Sequence, residues 1–411
     1  MTAGWGTVVA RPTLRLGGGR WFDVTTGESQ RTDLLVVDGR VVTDDGRDAD
    51  PVDADGAWIL PGLMDCHAHP GEAFYAPDAA AYFETVAERT IRAGENLRTA
   101  ATVGITGVRC VDEAEGIDLA WRTTFAAGTS PGPRVLAAGR AIRTTGGHGT
   151  AHPRVPVRMH DMHVVDGPTA MARAVREQVE LGVDWIKVML TGGLMSEHET
   201  VDGMQLSDEE LAAVLATARQ RGVPVTAHCG GAEAARRFAR GGGRCIEHGY
   251  ALDEEAVAVM AEHGVWLVPT IGVTHDDAFL EHGDGWPEHS LTRARATRAR
   301  HAESLAMARA AGVRIAVGAD LNPIGARLHR ELALLEEAGM PRLEVLAAAT
   351  VGGRALNGLD ARPTAEPGAL ADLLVVDADP LADPGALARP RHVLVDGRPM
   401  GPLSPPAGGA S

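Results

Sequence analysis

The sequence predicts an α/β chain: a (β/α)8 TIM barrel with a small β-sandwich domain built from both termini. Three observations carry that prediction. Short apolar runs alternate with amphipathic helical patterns through the middle of the chain. Valine- and leucine-rich pieces with tight-turn punctuation occupy both ends. Six imidazole, amine and carboxylate side chains (His67, His69, Lys187, His228, His248 and Asp320) fall at or near the ends of the central apolar runs. Strand ends are where a barrel of this class gathers its site.

The N-terminal pieces are Val8-Val9-Ala10, Leu14-Arg15-Leu16 and Leu34-Leu35-Val36-Val37, followed by Asp38-Gly39 and Arg40-Val41-Val42. An Asp-Gly pair between two valine runs is a tight-hairpin signal. The tail repeats this grammar in Leu373–Asp377 and in His392-Val393-Leu394-Val395-Asp396-Gly397. Neither end supplies enough strands for a sheet of its own, so residues 1–60 and 363–402 are predicted to form one β-sandwich domain. The barrel then spans 61–362. Residues 403–411, rich in Pro, Gly, Ser and Ala, are expected to be a disordered tail.

Eight strands are predicted for the barrel: Ile59–His69, Ile105–Val111, Arg134–Ala138, Trp185–Leu190, Val223–His228, Cys245–His248, Trp266–Thr270 and Arg314–Asp320. Helices are predicted between them at Ala79–Val103, Thr169–Leu181, Ser207–Arg221, Asp253–His263 and Leu291–Ala311. Ser207-Asp208-Glu209-Glu210 has the form of a capping box, in which serine and glutamate satisfy each other's backbone N–H.

Composition bounds the function. A chain of 411 residues with 45% apolar and 23% charged residues suits a large globular enzyme. The formal charge of −16, with no long Lys/Arg cluster, argues against nucleic acid as a partner. No apolar stretch is long enough for a membrane span, and the N-terminus lacks a signal pattern. Cys66, Cys110, Cys229 and Cys245 form no CxxC pair and fall in or beside apolar runs, as reduced core thiols do. A cytoplasmic location is expected.

The donors suit a metal. A strand alternates its faces, so His67 and His69 point the same way, and neutral imidazole is a common metal ligand. His228 and His248 close two later strands. Asp320 ends Ile315–Asp320, where a carboxylate can ligate metal and accept a proton from water. Lys187 sits inside Trp185-Ile186-Lys187-Val188-Met189, where an amine is costly unless paired. It is either a buried ion-pair partner or a lysine carboxylated by carbon dioxide, which would make it a bridging anion.

These stretches resemble the amidohydrolase superfamily, in its imidazolonepropionase-related branch of Xaa-Pro dipeptidase-like and ochratoxin amidase-like hydrolases. The similarity rests on Leu60–His69, Gly132–Leu136, Thr144–Gly149, Asp184–Gly193, Gly222–Gly230, Ile246–Gly249, Gly318-Ala319-Asp320 and Glu366–Leu373. The resemblance implies two divalent ions. His67, His69 and Asp320 would hold one, His228 and His248 the other, and carboxylated Lys187 would bridge them. Zn2+ suits such ligands, while Mn2+, Fe2+ or Co2+ fit the same cage. It further implies that a metal-bridging hydroxide attacks the substrate carbonyl, with Asp320 carrying the proton to the leaving nitrogen. His148 would bind the scissile carbonyl. One departure is that Cys110 follows Arg109 where relatives often carry an aspartate, and Asp112 comes later.

The substrate is expected to be a small molecule, first a dipeptide or N-acyl amino acid. Arg154 and Arg158 are candidates to clamp its carboxylate and Tyr250 to offer a hydroxyl. Thr274–His289 is expected to be a polar lid loop. A cyclic-amide hydrolase of imidazolone, hydantoin or lactam type is the alternative. A deaminase is disfavoured because Gly231 stands where its glutamate would fall. A non-catalytic scaffold is disfavoured by the complete donor set. A homo-oligomer is possible.

Overall fold

Two Asp-Gly turns shape the ends of the chain. Asp38 and Gly39, at φ of 49° and 75°, fold Leu34–Val37 back on Arg40–Val42. Asp396 and Gly397, at 53° and 71°, do the same between His392–Val395 and Arg398–Pro399. Two consecutive left-handed residues are what a type I′ hairpin turn requires. The computed structural model describes residues 8–71, 84–149, 162–362 and 365–403.

Strands from both termini share sheets. One sheet runs Arg40–Val42, Leu34–Val37, Leu14–Gly17, Asp50–Asp53. The other runs Arg398–Pro399, His392–Val395, Leu373–Val376, Trp58–Pro61, Arg20–Phe22, Ser29–Arg31. Between them lies one apolar cluster to which Leu14, Val36 and Ile59 contribute from the front of the chain, and Leu373, Val375 and Leu394 from the back.

The central segment is a mixed α/β fold on parallel sheets. Leu63–Ala68 pairs with Ile105–Cys110, which pairs with Arg134–Leu136. A longer parallel sheet runs His163–Val164, Ile142–Arg143, Ile186–Met189, Val225–Gly231, Cys245–Ala251, Trp266–Val268, Arg314–Ile315. Backbone hydrogen bonds tie the two sheets to each other at two places. Asp184 N–H donates to the Ala137 carbonyl at 2.7 Å, and Cys66 N–H to the Val317 carbonyl at 2.8 Å.

Helices cover the sheets. Ile186, Val188, Ala227, Ile246 and Leu267 pack on Val214, Phe238 and Met260, so these strands are buried on both faces, as parallel strands are. Burying a side chain such as Phe238 contributes about 1.5–3 kcal/mol. Asp208–Arg221 begins with the predicted capping box: Glu210 N–H donates to Ser207 Oγ, and Ser207 N–H to the Glu210 carboxylate. The same carboxylate accepts Gly167 N–H at 2.7 Å, which fixes the entry to the neighbouring helix Pro168–Leu181.

Three expectations need adjustment. Ile59–His69 is not one strand: Trp58–Pro61 belongs to the terminal sheet and Leu63–Ala68 to the central one. The break is at Gly62, where any Cβ would lie 2.1 Å from Thr106. Arg314–Asp320 keeps strand geometry only at Arg314–Ile315, although Ala316 N–H still donates to the Leu267 carbonyl at 3.0 Å. Thr274–His289 is not an irregular loop. It carries the ends or whole of Gly272–His275, Asp277–His282 and Gly283–Gly285, anchored by buried Phe279 and Leu280.

All four cysteines are buried and free, as the sequence suggested. Among the described residues no helix is long and apolar enough to cross a membrane.

Candidate active site

The strand ends bring the candidate donors to one cavity. His67, His69, Lys187, His228, His248 and Asp320 all line it, together with His148 and Tyr250. His67 Nε2 and His69 Nε2 lie 3.2 and 3.1 Å from the same Asp320 oxygen, Oδ1. His248 lies 3.8 Å from the other oxygen. His67, His248 and Asp320 offer ligand atoms within 4.8 Å of one another. The His228 and His248 ring centroids are 4.4 Å apart.

Each donor is aimed by a neighbour. His67 Nδ1 meets Glu247 at 2.7 Å and His69 Nδ1 meets the Asp112 carbonyl at 3.4 Å, which leaves both Nε2 atoms for the cavity. His248 Nδ1 pairs with Thr270 Oγ1 at 2.7 Å, and His228 Nε2 with the Gly192 carbonyl at 3.0 Å. The Asp65 carboxylate accepts the N–H groups of His67 and Ala319, pinning Leu63–Ala68 to the segment that carries Asp320. His248, Thr270 and Asp320 have positive φ of 71°, 48° and 58°. Gly193 is required by close approach: a Cβ there would sit 2.4 Å from the His148 ring and 2.7 Å from His228.

These residues fit divalent cations on three grounds. First, burial drives His228 and His248 well below the ordinary imidazole value, so both are neutral, the ligating form. Second, burial opposes the Asp320 charge, yet His67 and His69 hold its carboxyl well below the usual range, so it is an anion. Third, Lys187 is 1% exposed. Burial lowers its amine, and a neutral amine is the form that adds carbon dioxide.

Sequence reasoning missed the supports. Glu247 is fully buried and pairs with Arg109 at 2.6 Å while accepting from His67 and Thr226. Arg109 also donates to the Cys66 carbonyl at 2.6 Å and lies 4.6 Å over the Trp185 ring. A signal existed: both are charged residues inside apolar runs, the anomaly that marked Lys187. Glu199 had no such signal, since it lies in an irregular loop. It accepts from His148 Nδ1 at 2.7 Å, Ser196 N–H at 2.9 Å and Gln205 Nε2 at 3.2 Å. Those contacts outweigh its burial and hold its carboxyl at about 2.

The remaining candidates divide. Tyr250 stacks on His248 at 5.0 Å, and His148 stacks on His228 at 3.9 Å. Arg154 and Arg158 lie outside the described residues. Cys229 is buried in the apolar core and does not line the cavity.

A parallel α/β scaffold that gathers imidazole, amine and carboxylate donors in one cavity defines a candidate enzyme site. Residues 58–400 match the amidohydrolase family model, and the chain belongs to that family. It is an enzyme acting on amide C–N bonds. It is similar to ochratoxinase of Aspergillus niger, 28% identical over 79% of this chain and 72% of that one. It is also similar to imidazolonepropionase of Rhizobium rhizogenes, 26% identical over 80% and 81%. Among solved structures it is similar to a prolidase complexed with N-methylphosphonate-L-proline. That match has TM-score 0.85 and 31% identity, and covers 94% of this chain and 99% of that one.

Proposed function

We propose that this chain is a binuclear metal-dependent amidohydrolase cleaving the amide bond of a dipeptide or N-acyl amino acid. The observation that carries the proposal is the set of six donors on one cavity, including a buried lysine. We further read the parallel strands as a closed (β/α)8 barrel, with residues 61–362 as the catalytic domain. The terminal sheets, 1–60 with 363–402, are read as its β-sandwich. The hydrogen bonds between the central sheets support the first reading and the shared core of the termini the second. Four free cysteines suit a cytoplasmic enzyme.

In this reading His67, His69 and Asp320 would hold one ion, His228 and His248 would hold the other, and Lys187, once carboxylated, would add an anionic donor. Zn2+ is favoured, since imidazole and carboxylate donors suit it. Bound there, two cations polarise the substrate carbonyl and lower the pKa of water. Asp320 takes the proton from the attacking water and returns it to the leaving nitrogen. Glu247 fixes the His67 tautomer, and Glu199 fixes that of His148, whose Nε2 is left to meet the carbonyl. Tyr250 braces His248 by stacking. Arg154 and Arg158 remain candidates for a substrate carboxylate.

The test is metal analysis joined to a panel of Xaa-Pro dipeptides and N-acetyl amino acids, read by amine release. About two equivalents of metal and chelator-sensitive cleavage are expected. Protein that binds no divalent metal, or cleaves the panel equally well in chelator, would refute the proposal. The imidazolonepropionase relative favours ring opening of a cyclic amide as a second reading, and dihydrouracil and hydantoin belong in the panel for that reason.

A further inference from the structure

The cavity lining divides chemically. Apart from the donor cluster, its largest contribution is apolar: Leu194, Met195, Phe279, Trp286 and Leu321. These come from three connections, following Ile186–Met189, Trp266–Val268 and Arg314–Ile315. Leu194 and Phe279 belong to one buried cluster with Tyr250, against which Trp286 and Leu321 pack. Phe279 and Trp286 meet edge to face with centroids 4.9 Å apart, an arrangement favoured by the ring quadrupoles.

This wall is braced from behind. His289 Nε2 and Ser290 Oγ donate to the Met195 carbonyl at 2.8 and 3.2 Å. Arg293 donates to the carbonyls of Gly193, Leu194 and Ser196. Arg327, paired with Asp276 at 2.9 Å, lies 5.6 Å over the Phe279 ring. A wall so held is preformed and does not need to be ordered by the ligand. Among the described lining residues Lys187 is the only lysine or arginine, and it belongs to the donor cluster.

We infer that the site selects amides carrying a bulky apolar substituent, an aryl or branched alkyl group, which lodges against Phe279 and Trp286. The inference rests on the amide-hydrolase reading above and adds which members of that class are preferred. A small or charged substituent leaves the wall wet or forces a charge onto it, and both disfavour binding and turnover.

The test uses the metal-loaded enzyme and a matched set: N-acetylglycine, N-benzoylglycine, N-acetylphenylalanine and N-acetylglutamate. Wild type should prefer the better aryl member over N-acetylglycine by about thirtyfold in kcat/KM, within the range a hydrophobic pocket supplies. Trp286→Ala should reduce that preference to about threefold. Leu321→Ala repeats the test should the first variant fold poorly. Preference for N-acetylglutamate, or an aryl preference unchanged in both variants, overturns the inference. If wild type cleaves none of the set, its substrates lie outside N-acyl amino acids, and the wall is read by calorimetry instead. Benzylphosphonate should then bind at least about tenfold more tightly than methylphosphonate in wild type and not in Trp286→Ala. Equal binding overturns the inference.

Discussion

Replacing Glu247 by glutamine keeps its size and removes its charge. Glu247 is fully buried, with Arg109 NH2 at 2.6 Å and His67 Nδ1 at 2.7 Å, and Thr226 Oγ1 also donates to it. All three neighbours are donors, so an amide NH2 in that place must face a donor on one side. Arg109, 0% exposed, then keeps a buried charge without its counter-ion. Losing one partner of a buried pair costs about 3–5 kcal/mol, and no cavity opens to add to it. The His67 tautomer is released too, and losing such an orienting partner lowers metal affinity about 10–100-fold. Urea unfolding in chelator reads the first effect and zinc titration the second. In Arg109→Met/Glu247→Leu the unpaired charge is gone, so stability should largely return while zinc affinity stays low. A Glu247→Gln loss below about 1 kcal/mol with unchanged zinc affinity would show that the pair does not support the site.

The remaining predictions concern the donors and the pH response. Lys187→Ala should drop metal content and abolish turnover, and a near-normal rate would rule out the bridge. Asp320→Asn should keep the unfolding midpoint in chelator but lower kcat by several orders of magnitude, and a fall below tenfold would remove it as the proton carrier. Glu199→Gln should lower kcat about 10–100-fold with KM within a few-fold, by analogy with other partners that orient an imidazole. Partial recovery in Glu199→Asp is expected, and an effect confined to KM would refute a positioning role. His329 is largely buried and its Nε2 lies 2.8 Å from the Val103 carbonyl. Burial lowers its pKa below the unfolded value of about 6.5. Protons therefore favour the unfolded chain: stability is full above about pH 6.5 and falls as pH drops toward the folded value. His329→Gln keeps a donor to Val103 and should remove up to about 1.4 kcal/mol per pH unit of that fall. Equal losses between pH 7 and 5 in both proteins would refute it.

The donors were legible because each carried a local anomaly. His67 and His69 share a strand face, His228 and His248 close apolar strands, and Lys187 sits where a charge is costly. The Asp-Gly hairpins were legible because few dipeptides adopt two left-handed residues. The break at Gly62 was not, because it depends on Thr106, more than forty positions away in sequence. Glu199 was hidden for a related reason: its partner His148 is supplied by another connection, and a loop glutamate looks solvated until the fold closes over it. The anchored turn at Phe279 and Leu280 was obscured by the polar residues around it.

The left-handed backbones of His248, Thr270 and Asp320 have a consequence for how this enzyme can evolve. Each non-glycine residue held there costs on the order of 1–3 kcal/mol. Glycine at any of the three would relieve the local tension. At positions 248 and 320 it would delete a proposed ligand outright; at 270 it would free the imidazole that Thr270 restrains. Selection for heat resistance alone therefore pulls against catalysis at these three places, and lineages that have lost turnover are where glycines should accumulate.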